Sequence, residues 1–415
     1  MTAALLLAAL VTGPPDEVRF RLDNGLLVIL KDTRRARAVG VSLRLPIGIG
    51  DDPPGAAGAA RLIGRLGSRS AVERDLAKRE VVIRTDVWDA LQVDYELPQA
   101  AFLTDTLGAV AERLKPPPLD ALDEEIAALR AEAAKAGPLD RARHMLAPVL
   151  QTVLRGRSET APPGRDALAA LAKERIGPAG AVLAIVGDAR VADTRPLVEK
   201  KLAGLEAQAA GANPAARHAP FAVKRHELGF DGATPGVALA FAAHDAPPAE
   251  RVVLTLFGNL LASRLEGRVP EGTGFPLTSS RQYPPGRLPF FIWMDLKEGA
   301  SPLSLEGMLR FALEGVIQEP WSANPQRFEV DRNELVTWLE GRPPNLVEPP
   351  AGTSAASVFA TDARDTAGRE ALHGGDLAAC LTRLRGLTPH SVGEVLRRYL
   401  RNDRAAVVLV RARGK

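Results

Sequence analysis

The sequence predicts an α+β fold made of two homologous α+β domains, each an antiparallel sheet packed with helices, joined by a linker. Three observations carry this. In the first third of the chain, strand patterns come first and helix patterns follow, which marks a segregated α+β layer and not an alternating doubly wound sheet. A shift of 224 positions carries Ala167–Gly187 (ALAALAKERIGPAGAVLAIVG) onto Ser391–Arg411 (SVGEVLRRYLRNDRAAVVLVR) with the same character throughout. Between the two copies, Glu206–Pro220 (EAQAAGANPAARHAP) is rich in Ala, Gly and Pro and has no period, the composition of a linker. The expected domains are 17–205 and 221–415, with 206–220 between them. A chain of 415 residues is too long for one ordinary core and comfortable for two.

The elements follow in order. Val18–Lys31 (VRFRLDNGLLVILK) alternates apolar and polar residues on both sides of Asn24-Gly25, the strongest short turn signal for a β-hairpin. A second alternating stretch, Val39–Leu45, is expected to pair with that hairpin. The pattern turns helical over Gly58–Leu66, and strands are expected over Val81–Thr85 and Ala90–Leu97, closed by Pro98. Two helices come next: Ala101–Leu114, stopped by three consecutive prolines from Pro116, and Leu119–Ala136, stopped by Gly137-Pro138. Each copy of the repeat reads as an amphipathic helix, a polar break and a buried strand. Leu168, Leu171 and Ile176 match Val392, Val395 and Leu400, and Leu183–Val186 match Val407–Val410. The second half restarts with a strand over Gly236–Ala242 and a helix over Ala249–Leu265.

Composition excludes several classes. Lys+Arg and Asp+Glu nearly balance, 53 against 50, and the two signs are interleaved, so no basic tract suited to nucleic acid is present. Cys380 is the single cysteine, so no intramolecular disulfide can form, and it reads as a small core hydrophobe. No phosphate-cradling glycine loop and no G-x-S-x-G nucleophile turn occurs. The six histidines, His144, His218, His226, His244, His373 and His390, include no two that are three to five residues apart, which removes helical or hairpin metal pairs. The acidic trio Asp123, Glu124 and Glu125 reads as a complement to a helix N-terminus. Residues 1–16 hold a short apolar run, Ala3–Val11, which reads as the core of a secretory signal or as an ordinary flexible N-terminus; it is too short to span a bilayer.

Taken in order and spacing, several segments resemble the insulinase, or pitrilysin and mitochondrial-processing-peptidase, family of zinc metallopeptidases. LDNGLLVILK looks like its opening strands. VSLRLPIGIGDDPPGAAGAARLIGRLGSRS is similar to the strand and glycine-bearing loop that lead into its metal-binding helix. REVVIRTDVWDALQVDYELP, AVLAIVGDARVADTRPLVEKKL and NLLASRLEGRVPEGTGFPLTSS resemble further segments, so the likeness covers nearly the whole chain. It implies two domains facing each other like a clamshell. In active members an inverted His-x-x-Glu-His motif binds zinc, two histidines four residues apart on one helix face holding the metal while the glutamate polarises water.

Here the matching positions are Arg61, Leu62, Ile63, Gly64 and Arg65. A guanidinium stays protonated and has no lone pair to donate, so both histidine ligands and the base are replaced by residues that cannot do their work. The resemblance places the third ligand at Glu132, with Glu125 seven residues before it. In the second half, Phe275 or Pro276 stands where the family carries a substrate-holding tyrosine. The expectation is therefore a non-catalytic member with no zinc and no other cofactor. It would pair as a heterodimer with an active zinc peptidase and help bind peptide substrates, in a periplasmic or secreted location, with the cytoplasm as the alternative. Two other readings stand beside it: a stand-alone peptide-binding or scaffolding protein, and a residual or unconventional peptidase. Because Arg61 and Arg65 share a helix face, one or both are candidates to pair with Glu132 in place of the metal; the competing reading leaves all three in solvent.

Overall fold

A computed structural model describes residues 16–33, 37–53, 56–135, 163–207, 225–231, 236–241, 246–266, 277–278, 290–295, 301–318, 325–341, 353–401 and 405–413. The first half contains strands β1 (Asp16–Arg21), β2 (Leu27–Asp32) and β3 (Val39–Leu45), then helices α1 (Ala59–Gly67) and α2 (Ala71–Lys78). Strands β4 (Val82–Val87) and β5 (Leu91–Leu97) follow, then α3 (Leu103–Arg113), α4 (Leu122–Lys135), α5 (Arg165–Arg175), β6 (Val182–Gly187) and α6 (Val191–Leu202). The second half contains β7 (Arg225–Asp231), β8 (Gly236–Phe241), α7 (Pro248–Glu266), β9 (Leu277–Thr278) and β10 (Phe290–Asp295). It continues with α8 (Pro302–Gln318), α9 (Pro325–Leu339), α10 (Ala355–His373), α11 (Leu377–Arg385), α12 (Pro389–Tyr399) and β11 (Ala406–Arg413). The class is α+β.

The first sheet runs β1-β2-β6-β3-β5-β4 and the second β7-β11-β8-β10-β9. In each, the strand that closes the half in sequence is inserted beside an early one, parallel to it: β6 along β2, and β11 along β7. The other pairings are antiparallel. At the 224-residue offset, α5 and α12 coincide end to end, and β6 begins where β11 does. The matched residues Leu168, Leu171, Ile176, Val392, Val395 and Leu400 are all buried.

Two expectations need correction. Val39–Leu45 does not pair with the N-terminal hairpin, because β6 lies between β2 and β3. The reason is hydrophobicity: Val182–Gly187 (VLAIVG) is buried on both faces, and only a central position covers both. Helix α2 was also absent from the expected elements. Its sequence, AVERDLAK, is mostly polar and buries only Glu73 and Leu76, and its start is set by Ser70, whose hydroxyl accepts from the Glu73 N–H at 3.2 Å. The hairpin is as expected, and its Asn24 side chain is buried, donating at 2.7 Å to the Leu202 carbonyl at the end of α6.

The first core lies between the inner face of the first sheet and α1–α6; Val41, Leu43, Val93, Tyr95, Leu183 and Ile185 point into it. The opposite face of that sheet is covered by a helix from the second half of the sequence. Helix α10 lays Ala356, Phe359, Ala363 and Ala367 on Ile29, Ala38, Val182, Ala184 and Val186. Small residues at this spacing let helix and sheet approach closely, and Gly40 sits directly beneath the Phe359-Ala360 backbone. Charges fasten the flanks: Lys31 to Asp362 at 2.6 Å, Arg19 to Glu370 at 2.9 Å, and Arg364 to Asp86 at 3.1 Å and Asp94 at 3.4 Å. A separate core in the second half contains Cys380, fully buried, together with Phe241, Phe257, Ile292 and Leu309.

Candidate functional site

The site is built on α1. Its N-terminus begins after Gly58, which holds a left-handed φ of 87° and has no side chain to cap with. Asp52 does the capping from the preceding loop: fully buried, its carboxylate accepts from the Gly58 and Ala60 N–H groups, both at 2.7 Å. Ala59, Ala60, Leu62, Ile63 and Leu66 anchor the helix in the core. Arg61 and Arg65, half-buried, lie one turn apart on the remaining face.

Arg65 reaches across to α4. Its Nε donates to Glu125 at 2.7 Å and its Nη1 to the Glu132 carboxylate at 2.9 Å, so one guanidinium holds two carboxylates seven residues apart. Arg69, one turn on, donates to Glu124 at 2.6 Å and lies 3.4 Å from Glu125. Glu125 is nearly buried, its side chain 12% exposed, whereas the Glu132 side chain is 48% exposed. Burial alone would lower the Arg65 pKa; the hydrogen bond to Glu125 and the charges of Glu132 and Glu125 outweigh it, and the net shift is upward. The acidic trio at the start of α4 therefore does more than complement a helix end: Glu125 binds Arg65 of α1, and Glu124 binds Arg69 in the turn that follows it.

Gly64 stands where the resemblance puts the catalytic glutamate. A β-carbon there would fall 2.9 Å from Leu91 Cδ1 and 3.0 Å from Val87 Cγ2, so a side chain at this position has to displace apolar groups of β4 and β5. The carbonyl of Gly64 accepts from Arg113 Nη1 at 2.7 Å. That arginine, buried on α3, also grips Glu73 through Nε at 2.6 Å and Nη2 at 2.8 Å, and Tyr95 donates to the same carboxylate at 2.8 Å. Burial raises the Tyr95 pKa well above 10.0, and the Glu73 charge adds to it, so the phenol keeps its proton. Sequence reasoning missed this network. Glu73 falls between the expected Gly58–Leu66 helix and Val81–Thr85 strand, in a stretch for which no element was expected, so nothing in the spacing assigned it a partner. Tyr95 and Arg113 carry no local signal at all.

The donor set at positions 61, 64 and 65 does not fit a metal ion. Two of the three residues are protonated cations, the third has no side chain, and the Arg65 charge already stands between Glu125 and Glu132. Among the described residues no three His, Cys, Asp or Glu side chains converge as a metal site would need. His144, His218, His244, Phe275 and Pro276 lie outside the described residues.

No protein-family model matches the chain, and no curated protein sequence matches it. Solved structures do. A protease from Helicobacter pylori is similar over 96% of this chain and 100% of its own, with a TM-score of 0.70 and 13% identity. A peptidase M16 inactive domain from Pseudomonas fluorescens covers 96% and 98% respectively, at a TM-score of 0.65 and 16% identity. The first half of the periplasmic protease PqqL from Escherichia coli covers 96% and 93%, at 0.57 and 15%. The chain has the fold of the M16-like peptidases, the insulinase-type architecture that its segments resemble.

Proposed function

We propose that this protein is a non-catalytic relative of the M16-like zinc peptidases that pairs with an active peptidase subunit and helps hold its peptide substrates. The observation that carries the reading is the state of α1. The elements that build the fold are kept, while the positions for ligands and base hold Arg61, Gly64 and Arg65, with Arg65 pinned by Glu125 and Glu132. Guanidinium groups do not polarise water as a metal does, and glycine cannot serve as a general base.

Peptide binding is supported by β4. Among the described residues it pairs with β5 alone, leaving the other row of its backbone N–H and C=O groups for an added strand, directly beside α1. Partner binding is supported by α8, where Leu303, Met308 and Phe311 face solvent, Phe311 at 83% exposure. A periplasmic or secreted location is supported by the apolar run Ala3–Val11 and by the likeness to a periplasmic protease. No helix among the described residues is long and apolar enough to cross a membrane.

The test is affinity capture from the native host with mass spectrometry, together with metal analysis and peptide-cleavage assays on the purified chain. Recovery of a second chain of this fold with an intact His-x-x-Glu-His motif is the expected result. Recovery of peptides without such a chain would favour a stand-alone binding protein. Near-equimolar zinc with chelator-sensitive cleavage would overturn the reading in favour of a working peptidase.

A further inference from the structure

We infer that the Arg65 guanidinium is the resident cation of the junction between α1 and α4, taking by a covalently tethered charge the place that a bound metal takes in the zinc-dependent form of this fold. The inference concerns how the junction is held and is independent of any partner or peptide. Its ground is a disagreement in chemistry: the zinc-dependent form of this fold holds a dissociable dication here, and Arg65 brings a tethered guanidinium to the same carboxylates.

Three observations support it. Glu125 is nearly buried, and a carboxylate in that position needs a positive partner, because removing one member of a buried pair strands the other. The partner comes from the helix that would have carried the metal ligands, and its Nε and Nη1 address two carboxylates at once, at 2.7 and 2.9 Å. A planar fork can do this; a lysine ammonium offers one charged point instead. Finally, a second arginine, Arg69, in the turn just after α1, supplies charge to the same Glu125 at 3.4 Å, so that carboxylate meets guanidinium groups from the end of α1 and from the turn that follows it. A tethered cation does not dissociate, and the junction should therefore be indifferent to chelators and to free metal.

The experiment is a pair of double-mutant cycles, Arg65→Ala with Glu125→Gln and Arg65→Ala with Glu132→Gln, followed by urea melts of the full chain. Thermal melts of the wild type with and without chelator or added zinc complete it. The expected result is a wild-type melting temperature unmoved by either addition. Coupling of Arg65 to Glu125 should exceed about twofold in the unfolding equilibrium constant, above the additivity limit of independent sites. The Glu132 cycle should give the smaller coupling, since that carboxylate is half exposed. If Arg65→Ala proves too unstable to measure, Arg65→Met replaces it in the cycles: it keeps an unbranched side chain to fill the space but has neither charge nor donors, and the same twofold threshold applies. Coupling to Glu125 below about twofold, or stoichiometric zinc that stabilises the wild type, would overturn the inference.

Discussion

Gly40 of β3 and Ala360 of α10 meet backbone against backbone: a β-carbon on Gly40 would fall 2.1 Å from the Ala360 nitrogen. The two residues are 320 positions apart in sequence. Any side chain at position 40 must lift the helix off the sheet and open the contact of Phe359, Ala363 and Ala367 with Ala184 and Val186. Gly40→Ala is expected to cost about 1–3 kcal/mol by overpacking, and Gly40→Val more, as read by urea denaturation. Gly108 is the control. It lies within α3 with open space around its missing side chain, so Gly108→Ala should be neutral or stabilise by about 0.5–1 kcal/mol. Equal effects of the two alanines would argue against the close approach.

The Arg113–Glu73 pair is deeply buried, the side chains 2% and 3% exposed. Arg113→Met leaves Glu73 a buried charge, takes the donor from the Gly64 carbonyl, and should destabilise the chain by about 3–5 kcal/mol. The double replacement Arg113→Met with Glu73→Leu removes both charges and should recover part of that loss. The check is the urea midpoint of both variants. A double variant no more stable than Arg113→Met would show that the loss comes from packing and not from the stranded carboxylate.

Limited proteolysis should cut first between Glu206 and Pro220, where the composition has no helical or strand period. The two fragments should nevertheless migrate together on a native sizing column, since α10 of the second fragment covers the first sheet. They should separate only in denaturant. Fragments that part under native conditions would contradict the seating of α10.

His373 closes α10 and is 2% exposed, with Gly375 N–H donating to its Nδ1 at 3.1 Å. Burial lowers its pKa below the ordinary 6.5; Glu370 and Asp376 act against that shift, and Arg19 and Arg369 act with it. The unfolded chain therefore takes up the proton more readily than the folded one. Stability from this group is present above about pH 6.5 and is lost as pH falls through the lowered folded value. Urea melts across this range should show wild-type stability declining with acidification, and His373→Asn should show a shallower decline. Parallel pH profiles would assign the dependence to other groups.

By itself the sequence determined what depends on local period and on chemical identity. Alternation around Asn24-Gly25 dictates a hairpin, and the matched apolar positions in Ala167–Gly187 and Ser391–Arg411 dictate a helix and a buried strand in each half. The chemistry of Arg61, Gly64 and Arg65 is legible without coordinates, because a protonated guanidinium has no lone pair in any fold. Tertiary structure decided the partners. A periodic pattern says which face of an element is buried and is silent about what buries it. For that reason the insertion of β6 between β2 and β3, the seating of α10 on Gly40, and the Arg113–Glu73–Tyr95 cluster carried no signal in the spacing. The same holds for Arg65. As a lone side chain on a helix face, it could equally have pointed into solvent, and only the packing of α4 against α1 brings Glu125 and Glu132 to its two donors.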